Sequence, residues 1–387
     1  MSIKILVVDD EPDLEQLIRQ KFRRNIRDNE FVFLFARNGL DAVATLFAEP
    51  DVALVLTDIN MPEMDGLTLL GKIEEMRSKS LKSVVVSAYG DLPNIRVAMN
   101  RGAFDFVTKP IDLTDLETTI QKALRESALI QEALRTRDEL VSIQRELNVA
   151  TEIQMSMLPR ALPVLAKANG IDIYARMLPA KEVGGDLYDF FRLDDHRVGC
   201  VIGDVSGKGV PAALLMGISR TLLRSAALAG MSPGECLTTV NRILSEDILP
   251  NMFVTAFYGV IDSRTGVFSY CSAGHNPPYV ITSSGVTPLN GVGGPPIGVV
   301  EGASYRDENL QLQPNDIVLL FTDGITEALD SNDDFFGEQR LEELLSNFHA
   351  LPPAALVDRT VEAVQVFSKG TAQADDITCL ALRYSGS

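Results

Sequence analysis

Histidine is scarce in this chain, three in 387 residues, and the four cysteines (Cys200, Cys236, Cys271 and Cys379) show no CxxC spacing. Without an HExxH or paired thiols, neither a zinc centre nor a disulfide framework is expected. The cysteines sit mostly in apolar surroundings and read as reduced core thiols of a cytoplasmic protein. No apolar run approaches the ~20 residues that span a bilayer, and the opening MSIKILVVDD lacks the layout of a signal peptide. Basic residues are outnumbered, 35 against 53 acids, for a net charge of -18. That balance argues against nucleic acid or an anionic membrane as the main partner. Glycine and proline are both missing from residues 111–158, a stretch bracketed by Pro110 and Pro159. Its Leu, Glu, Gln, Arg and Ala predict a helix longer than globular packing needs, a spacer or coiled coil.

What is present divides around that helix, and a chain of this length holds two or three domains. Residues 3–8 form a short apolar run that stops at Asp9-Asp10-Glu11, and an amphipathic helix is expected over 13–22. Further apolar runs at 52–56, 84–86 and 104–107 stop at Thr57-Asp58, Ser87-Ala88 and Thr108-Lys109-Pro110. Near-continuous apolar strands alternating with helices predict a doubly wound parallel sheet, whose ligands bind at the strands' carboxyl ends. Asp9, Asp10, Asp58, Ser87 and Lys109 are therefore expected to converge. Taken singly, each acid reads as a solvated loop residue; the five positions in strand order make the site. Three carboxylates in one crevice repel unless a cation joins them, and oxygen ligands suit magnesium. A nearby lysine would balance a phosphoryl group added to one carboxylate.

The stretch TDINMPEMDG (57–66) and the trio Asp10, Asp58 and Lys109 resemble a CheY-like receiver domain of bacterial response regulators. The resemblance implies that Asp58 accepts a phosphoryl group from a sensor histidine kinase. It implies a Mg2+ held by Asp9, Asp10, Asp58 and the Asn60 carbonyl. Ser87 and Phe106 would be the switch pair, with Tyr89 flanking the site.

In the long helix, Ile120, Ala123, Ile130, Leu134 and Val141 line one stripe, and Leu140, Ile143, Leu147 and Ala150 another. The register slips around Thr136-Arg137-Asp138, which predicts a weak coiled coil and a homodimer through it. A flawed seam can hold two arrangements of similar energy, as a switch requires. A single helix packed on its own domains is the competing reading.

After Pro159 the text turns to short strands, glycine turns and helical blocks. Strands are expected at 171–177, 187–193, 198–205, 253–261, 267–272, 278–281, 305–310, 317–321 and 377–382. Helices are expected at 210–229 (apolar almost throughout, hence buried), 233–249, 341–345 and 354–367. Two sheets packed together and covered by helices follow, an αββα sandwich.

Four spots set acids beside glycine or at strand ends. They are Gly184-Gly185-Asp186, GDVSGKG at 203–209, Thr322-Asp323-Gly324, and Asp375-Asp376-Ile377-Thr378. Any one is an ordinary turn. Together they need a counter-charge, and an all-oxygen donor set fits Mg2+ or Mn2+. Two such ions could activate a water toward phosphorus. Cys236 and Arg242 match the Cys-x5-Arg spacing of thiol phosphatases, but no glycine lies between them and the stretch reads as helix, so that chemistry is discounted.

The flanking text resembles the SpoIIE-like branch of metal-dependent serine/threonine protein phosphatases: ATEIQMSMLP (150–159), EVGGDLYDFF (182–191), residues 204–209, AGHNPP (273–278) and PPIG (295–298). By that resemblance Asp186 and Asp204 bind the metal pair with help from the Val205 carbonyl. Asp323 and Asp375 complete the set, with Asp376 as the alternative to Asp375. One departure from the eukaryotic members is the lack of a histidine after the Asp-Gly metal motif. His275 is a candidate acid, although a structural turn role fits AGHNPP better.

The expected organisation is a receiver at 1–122, a helical coiled-coil linker at 123–158 and a phosphatase domain at 159–387. The expected function is a response regulator controlled at Asp58 that dephosphorylates a protein. Its substrate would be a phosphorylated STAS-type anti-sigma-factor antagonist of a partner-switching pathway. A receiver-gated adaptor that binds a partner without catalysis is the alternative; a DNA-binding output finds no helix-turn-helix text.

Overall fold

A computed structural model describes residues 2–76, 80–88, 91–159, 170–247, 251–291 and 293–386. Two compact units emerge, Met1–Ile143 and Gln144–Ser387.

In the first unit, five strands pair in parallel in the order β2-β1-β3-β4-β5: β1 (Ile3–Val8), β2 (Phe31–Ala36), β3 (Val52–Asp58), β4 (Lys82–Ala88) and β5 (Asp105–Lys109). The crossovers are α1 (Pro12–Lys21) with the short α2 (Arg23–Arg27), then α3 (Gly39–Ala48), α4 (Gly66–Glu75) and α5 (Leu92–Asn100). The β1 and β3 runs are buried because helices cover both faces of the sheet. Strand β2 was not among the expected runs. It is the sheet's edge, half-exposed, and no acid marks its end.

Helix α6 (Leu113–Met157) is unbroken through Thr136-Arg137-Asp138. Leu116, Ile120, Ala123 and Leu124 are buried in the core of the first unit. Leu158, just past the helix end, joins the core of the second.

The second unit has two antiparallel five-stranded sheets. One runs β13-β10-β9-β8-β7, with β7 (Leu187–Arg192), β8 (Arg197–Val205), β9 (Val254–Asp262), β10 (Val267–Ala273) and β13 (Glu308–Gln311). The other runs β12-β11-β14-β15-β6, with β6 (Ile171–Leu178), β11 (Tyr279–Thr282), β12 (Gly285–Pro288), β14 (Ile317–Phe321) and β15 (Ile377–Tyr384). Phe257, Phe268, Leu320 and Leu380 pack between the sheets. Helices α7 (Val210–Leu228) and α8 (Pro233–Asp247) cover the first sheet, while α10 (Gly337–Ser346) and α11 (Pro353–Phe367) cover the second. The four-residue α9 (Asp323–Thr326) follows β14.

Three expectations need correction. Helix α7 is not buried all round: Val210, Leu214 and Ile218, an i, i+4, i+8 stripe, are 44%, 65% and 52% exposed, opposite buried Ala212, Met216 and Leu223. Strand β12 lacks an apolar signature and was not anticipated. Strand β13 begins only at Glu308: the Tyr305 N–H donates to the Thr238 hydroxyl at 3.0 Å rather than to the sheet, and its own hydroxyl donates to the Pro295 carbonyl at 2.9 Å.

Candidate functional site

In the first unit, β1, β3 and β5 carry Asp9, Asp58 and Lys109 to one rim. The Lys109 Nζ donates to Asp58 Oδ2 at 2.6 Å and to Asp9 Oδ2 at 3.1 Å. Carboxylate oxygens of Asp9, Asp10 and Asp58 all lie within 4.8 Å of one another. Asp58 also accepts the Ile59 N–H at 2.6 Å and the Asn60 N–H at 3.4 Å, so the turn after β3 is wound around its carboxylate. Burial pushes the Asp9 carboxyl above its ordinary value, against the Glu11 N–H and Lys109. Burial would lower Lys109, but its bonds to Asp58 and Asp9 outweigh that and hold it up. Gly66 is required where it stands, since a Cβ there would lie 2.0 Å from the Asp58 carbonyl oxygen. The Ser87 hydroxyl donates to Asp91 at 3.4 Å, and Phe106 is exposed. Tyr89 lies outside the described residues.

In the second unit the acids gather at one end of both sheets. Asp186 precedes β7, Asp204 is the penultimate residue of β8, Asp323 opens α9 just past β14, and Asp375-Asp376 precede β15. Asp186 is almost wholly buried, and its Oδ2 accepts the hydroxyls of Thr322 (2.8 Å) and Thr378 (2.5 Å). Burial first, and then the Asp204 charge, drive its carboxyl well above the usual range. Burial, with Asp323 and Asp375 nearby, pushes Asp204 up to about 7. Burial, Glu327 and Asp375 raise Asp323. The crowding of like charges leaves this group short of positive charge. Lys208 supplies one counter-charge, with its Nζ 2.9 Å from Asp375 Oδ2 and 2.6 Å from the Ala374 carbonyl. The Val205 carbonyl faces the same loop, and a Cβ on Gly185 would come within 2.8 Å of its oxygen.

Adjacent Asp375 and Asp376, which sequence left as alternatives, do different work. Asp376 is buried and accepts the backbone N–H groups of Ala180 (2.7 Å), Gly185 (2.6 Å) and Asp186 (3.4 Å). A Cβ at Gly184 would fall 2.3 Å from Asp376 Oδ2, so glycine is needed for this carboxylate to reach the loop. Asp375 is partly exposed on the side of Lys208.

Comparison with known proteins finds a family for each of the two units. A model of the response regulator receiver domain matches residues 5–121, and one of stage II sporulation protein E (SpoIIE) matches residues 194–385. The chain is a response-regulator receiver joined to a SpoIIE-type phosphatase domain. It is 34% identical over 265 residues to protein IcfG of Synechocystis sp., a match spanning 61% of this chain and 41% of IcfG. It is 28% identical over 242 residues to phosphoserine phosphatase RsbU of Bacillus subtilis, covering 62% of this chain and 70% of RsbU. The SiaA-PP2C domain of Pseudomonas aeruginosa shares the fold of the phosphatase domain, with a TM-score of 0.57 and 23% identity over 64% of this chain and 98% of that one. This chain therefore spans less than half the length of IcfG. Among the described residues, no helix is long and apolar enough to cross a membrane.

Several partners in the phosphatase domain were not singled out from sequence. Thr322 and Thr378 lie inside quoted motifs, but spacing does not reveal that both hydroxyls turn onto Asp186. Buried Asp189 takes ion pairs from Arg220 (2.9 Å) and Arg224 (2.8 Å) of α7. Two arginines at i, i+4 on a largely apolar helix were the available signal. Cys236 is a core thiol whose Sγ faces the Leu223 carbonyl, and burial pushes it up to about 12, which removes thiolate chemistry.

His275 is also structural. The Phe321 carbonyl, 3.1 Å from Nε2, can only accept, so Nε2 carries the proton and Nδ1 accepts from the Thr255 hydroxyl at 2.9 Å. Burial lowers its pKa to about 4 from 6.5. Above pH 6.5 the ring is neutral folded and unfolded, and contributes no pH dependence. Between 6.5 and 4 the unfolded state takes the proton first, so stability falls with pH, by about 3 kcal/mol in full. Urea unfolding at pH 7.5 and pH 4.5 should show that acid slope in the wild type and its loss in His275→Gln. Equal slopes would place the titration elsewhere.

Proposed function

We propose that this chain is a cytoplasmic response regulator whose output is hydrolysis of phosphoserine or phosphothreonine on a protein. The observation that carries the reading is the gathering of Asp186, Asp204, Asp323 and Asp375 at one end of both sheets of a SpoIIE-type domain. The all-oxygen donors, and the raised carboxyls of Asp186, Asp204 and Asp323, fit two Mn2+ or Mg2+ ions. Asp204, Asp323 and Asp375 would hold them with Asp186 and the Val205 carbonyl. Asp376 would serve as scaffold, its oxygens being committed to backbone amides. When bound, such an ion pair supplies charge neutralisation and an acidic water for attack on phosphorus. The protein's own residues fix the geometry: Thr322 and Thr378 orient Asp186, and Lys208 offsets the charge of Asp375. His275, neutral and fully bonded, is not the leaving-group acid.

In the receiver, Asp58 would take a phosphoryl group from a histidine kinase. Mg2+ would sit among Asp9, Asp10, Asp58 and the Asn60 carbonyl, and Lys109 would neutralise the added charge. Ser87 and Phe106 would relay that state, and α6, pairing with a second copy, would carry it to the phosphatase domain. The proposed substrate is a phosphorylated STAS-type anti-sigma-factor antagonist, a reading supported by the similarity to the phosphoserine phosphatase RsbU. Manganese-dependent phosphate release from a phosphoserine protein, wild type against Asp323→Asn, tests the enzyme reading. Equal residual release by both, no more than background, would leave the domain as a non-catalytic binding module.

A further inference from the structure

Gln154 lies in the last turn of α6 and is only 5% exposed. Its side-chain amide spans a single backbone residue. Nε2 donates to the Gly184 carbonyl at 2.6 Å, and Oε1 accepts the Gly184 N–H at 3.0 Å. One turn earlier, the Thr151 hydroxyl donates to the Glu182 carbonyl at 2.5 Å. The helix thus reads residues 182 and 184 with side chains at i and i+3, which share a face. On its other side Gly184 abuts Asp376 closely enough to exclude a Cβ, and the next two N–H groups, of Gly185 and Asp186, point to Asp376 Oδ2. The Gly184-Gly185-Asp186 loop is clamped between a side chain of the linker helix and one of the phosphatase core.

Only a neutral amide of this length offers a donor and an acceptor to the two backbone groups at once. An ionised glutamate would turn an acceptor toward the Gly184 carbonyl. A leucine would leave both groups of Gly184 buried without a partner, which is the costly outcome for a hydrogen bond.

We propose that Gln154 is a positioning residue of the phosphatase centre: it sets the Gly184 backbone and through it the place of Asp186, so the end of the linker helix is part of the active-site scaffold. This rests on the reading of Asp186 as a metal ligand. Groups that hydrogen-bond a metal ligand directly typically govern affinity by roughly 10–100-fold. Gln154 acts one link further back, through the Gly184 backbone, so its effect is expected at or below the low end of that range.

The test uses the full chain. Manganese binding is measured by calorimetry, the receiver's contribution being common to all variants, beside the Mn2+ concentration giving half-maximal hydrolysis of p-nitrophenyl phosphate. Gln154→Leu and Gln154→Glu should each weaken the phosphatase-domain isotherm and raise the half-maximal concentration by roughly five- to tenfold, the low end of what an outer partner of a metal ligand governs. Much of kcat should return at saturating manganese. Thr151→Val, which loses hydroxyl bonds to the Glu182 and Leu147 carbonyls but none to residues 184–186, should stay within about twofold on both readouts, an effect too small to count as a lost ligand partner. If Gln154→Leu does not fold, Gln154→Glu, of nearly equal size, decides the matter. Wild-type manganese binding in a folded Gln154 variant overturns the proposal, even if that variant melts earlier. Asp323→Asn run in parallel separates the two levels. Full activity there defeats the reading of the acid cluster as the metal centre, whereas an inactive Asp323→Asn beside unaltered Gln154 variants defeats only the positioning role.

Discussion

Asp323→Asn is expected to cut manganese-supported phosphate release by at least ~10^3-fold, while the chelated variant unfolds no earlier than the wild type. The two halves have one cause. Asp323 opens α9 at the edge of the acid cluster, where burial, Glu327 and Asp375 already raise its carboxyl. Without metal, a neutral amide of the same shape removes a repulsive charge, so stability holds or rises. With metal, the same change removes an anionic ligand, and three decades in rate correspond to about 4 kcal/mol. A loss of that size is in line with the several kcal/mol that metal charge stabilisation supplies. Phosphate release and a thermal melt after chelation measure the two together. A variant losing activity and stability in parallel would assign Asp323 a structural role instead.

Asp189→Ala is expected to cost about 3–5 kcal/mol of unfolding free energy, the largest stability effect of a single side chain foreseen here. Asp189 is 1% exposed on β7, with Arg220 and Arg224 of α7 both within 3 Å. Burial pulls the Asp189 carboxyl up and the Arg220 guanidinium down, so each ion is tolerable only because of the other. Truncating the acid strands Arg220, whose side chain is 14% exposed. The Arg224 guanidinium keeps its place 5.0 Å over the Phe191 ring. Replacing all three with apolar residues of similar volume should recover much of the loss, because the desolvation cost goes with the charges. Denaturant unfolding of the single and triple variants measures this. A loss below about 1 kcal/mol for Asp189→Ala would mean that water reaches the pair, as at a surface bridge.

The sheet of the receiver was legible because its central strands are apolar on both faces and stop abruptly at acids, so strand ends and site residues announced each other. Strand β2 escaped because an edge strand is half wet and carries no site residue. In the phosphatase domain the four acid-bearing turns could be found from spacing. What each oxygen faces could not, since Asp375 and Asp376 differ only in which way the chain turns. The same limit hid Thr322, Thr378 and Lys208, whose partners lie up to 192 residues away. Helix α7 misled for another reason: composition counts apolar residues without saying which face they occupy, and its Val210, Leu214, Ile218 stripe turned outward.

In the proposed scheme the chemical state of Asp58 governs phosphate release. The direct measurement is the rate of release from a phosphoserine protein by the full chain, with and without beryllofluoride, for wild type and Asp58→Asn. Wild type should accelerate roughly tenfold, within the usual range of inter-site coupling, and Asp58→Asn should not respond. A wild-type rate indifferent to beryllofluoride would rule out control through Asp58.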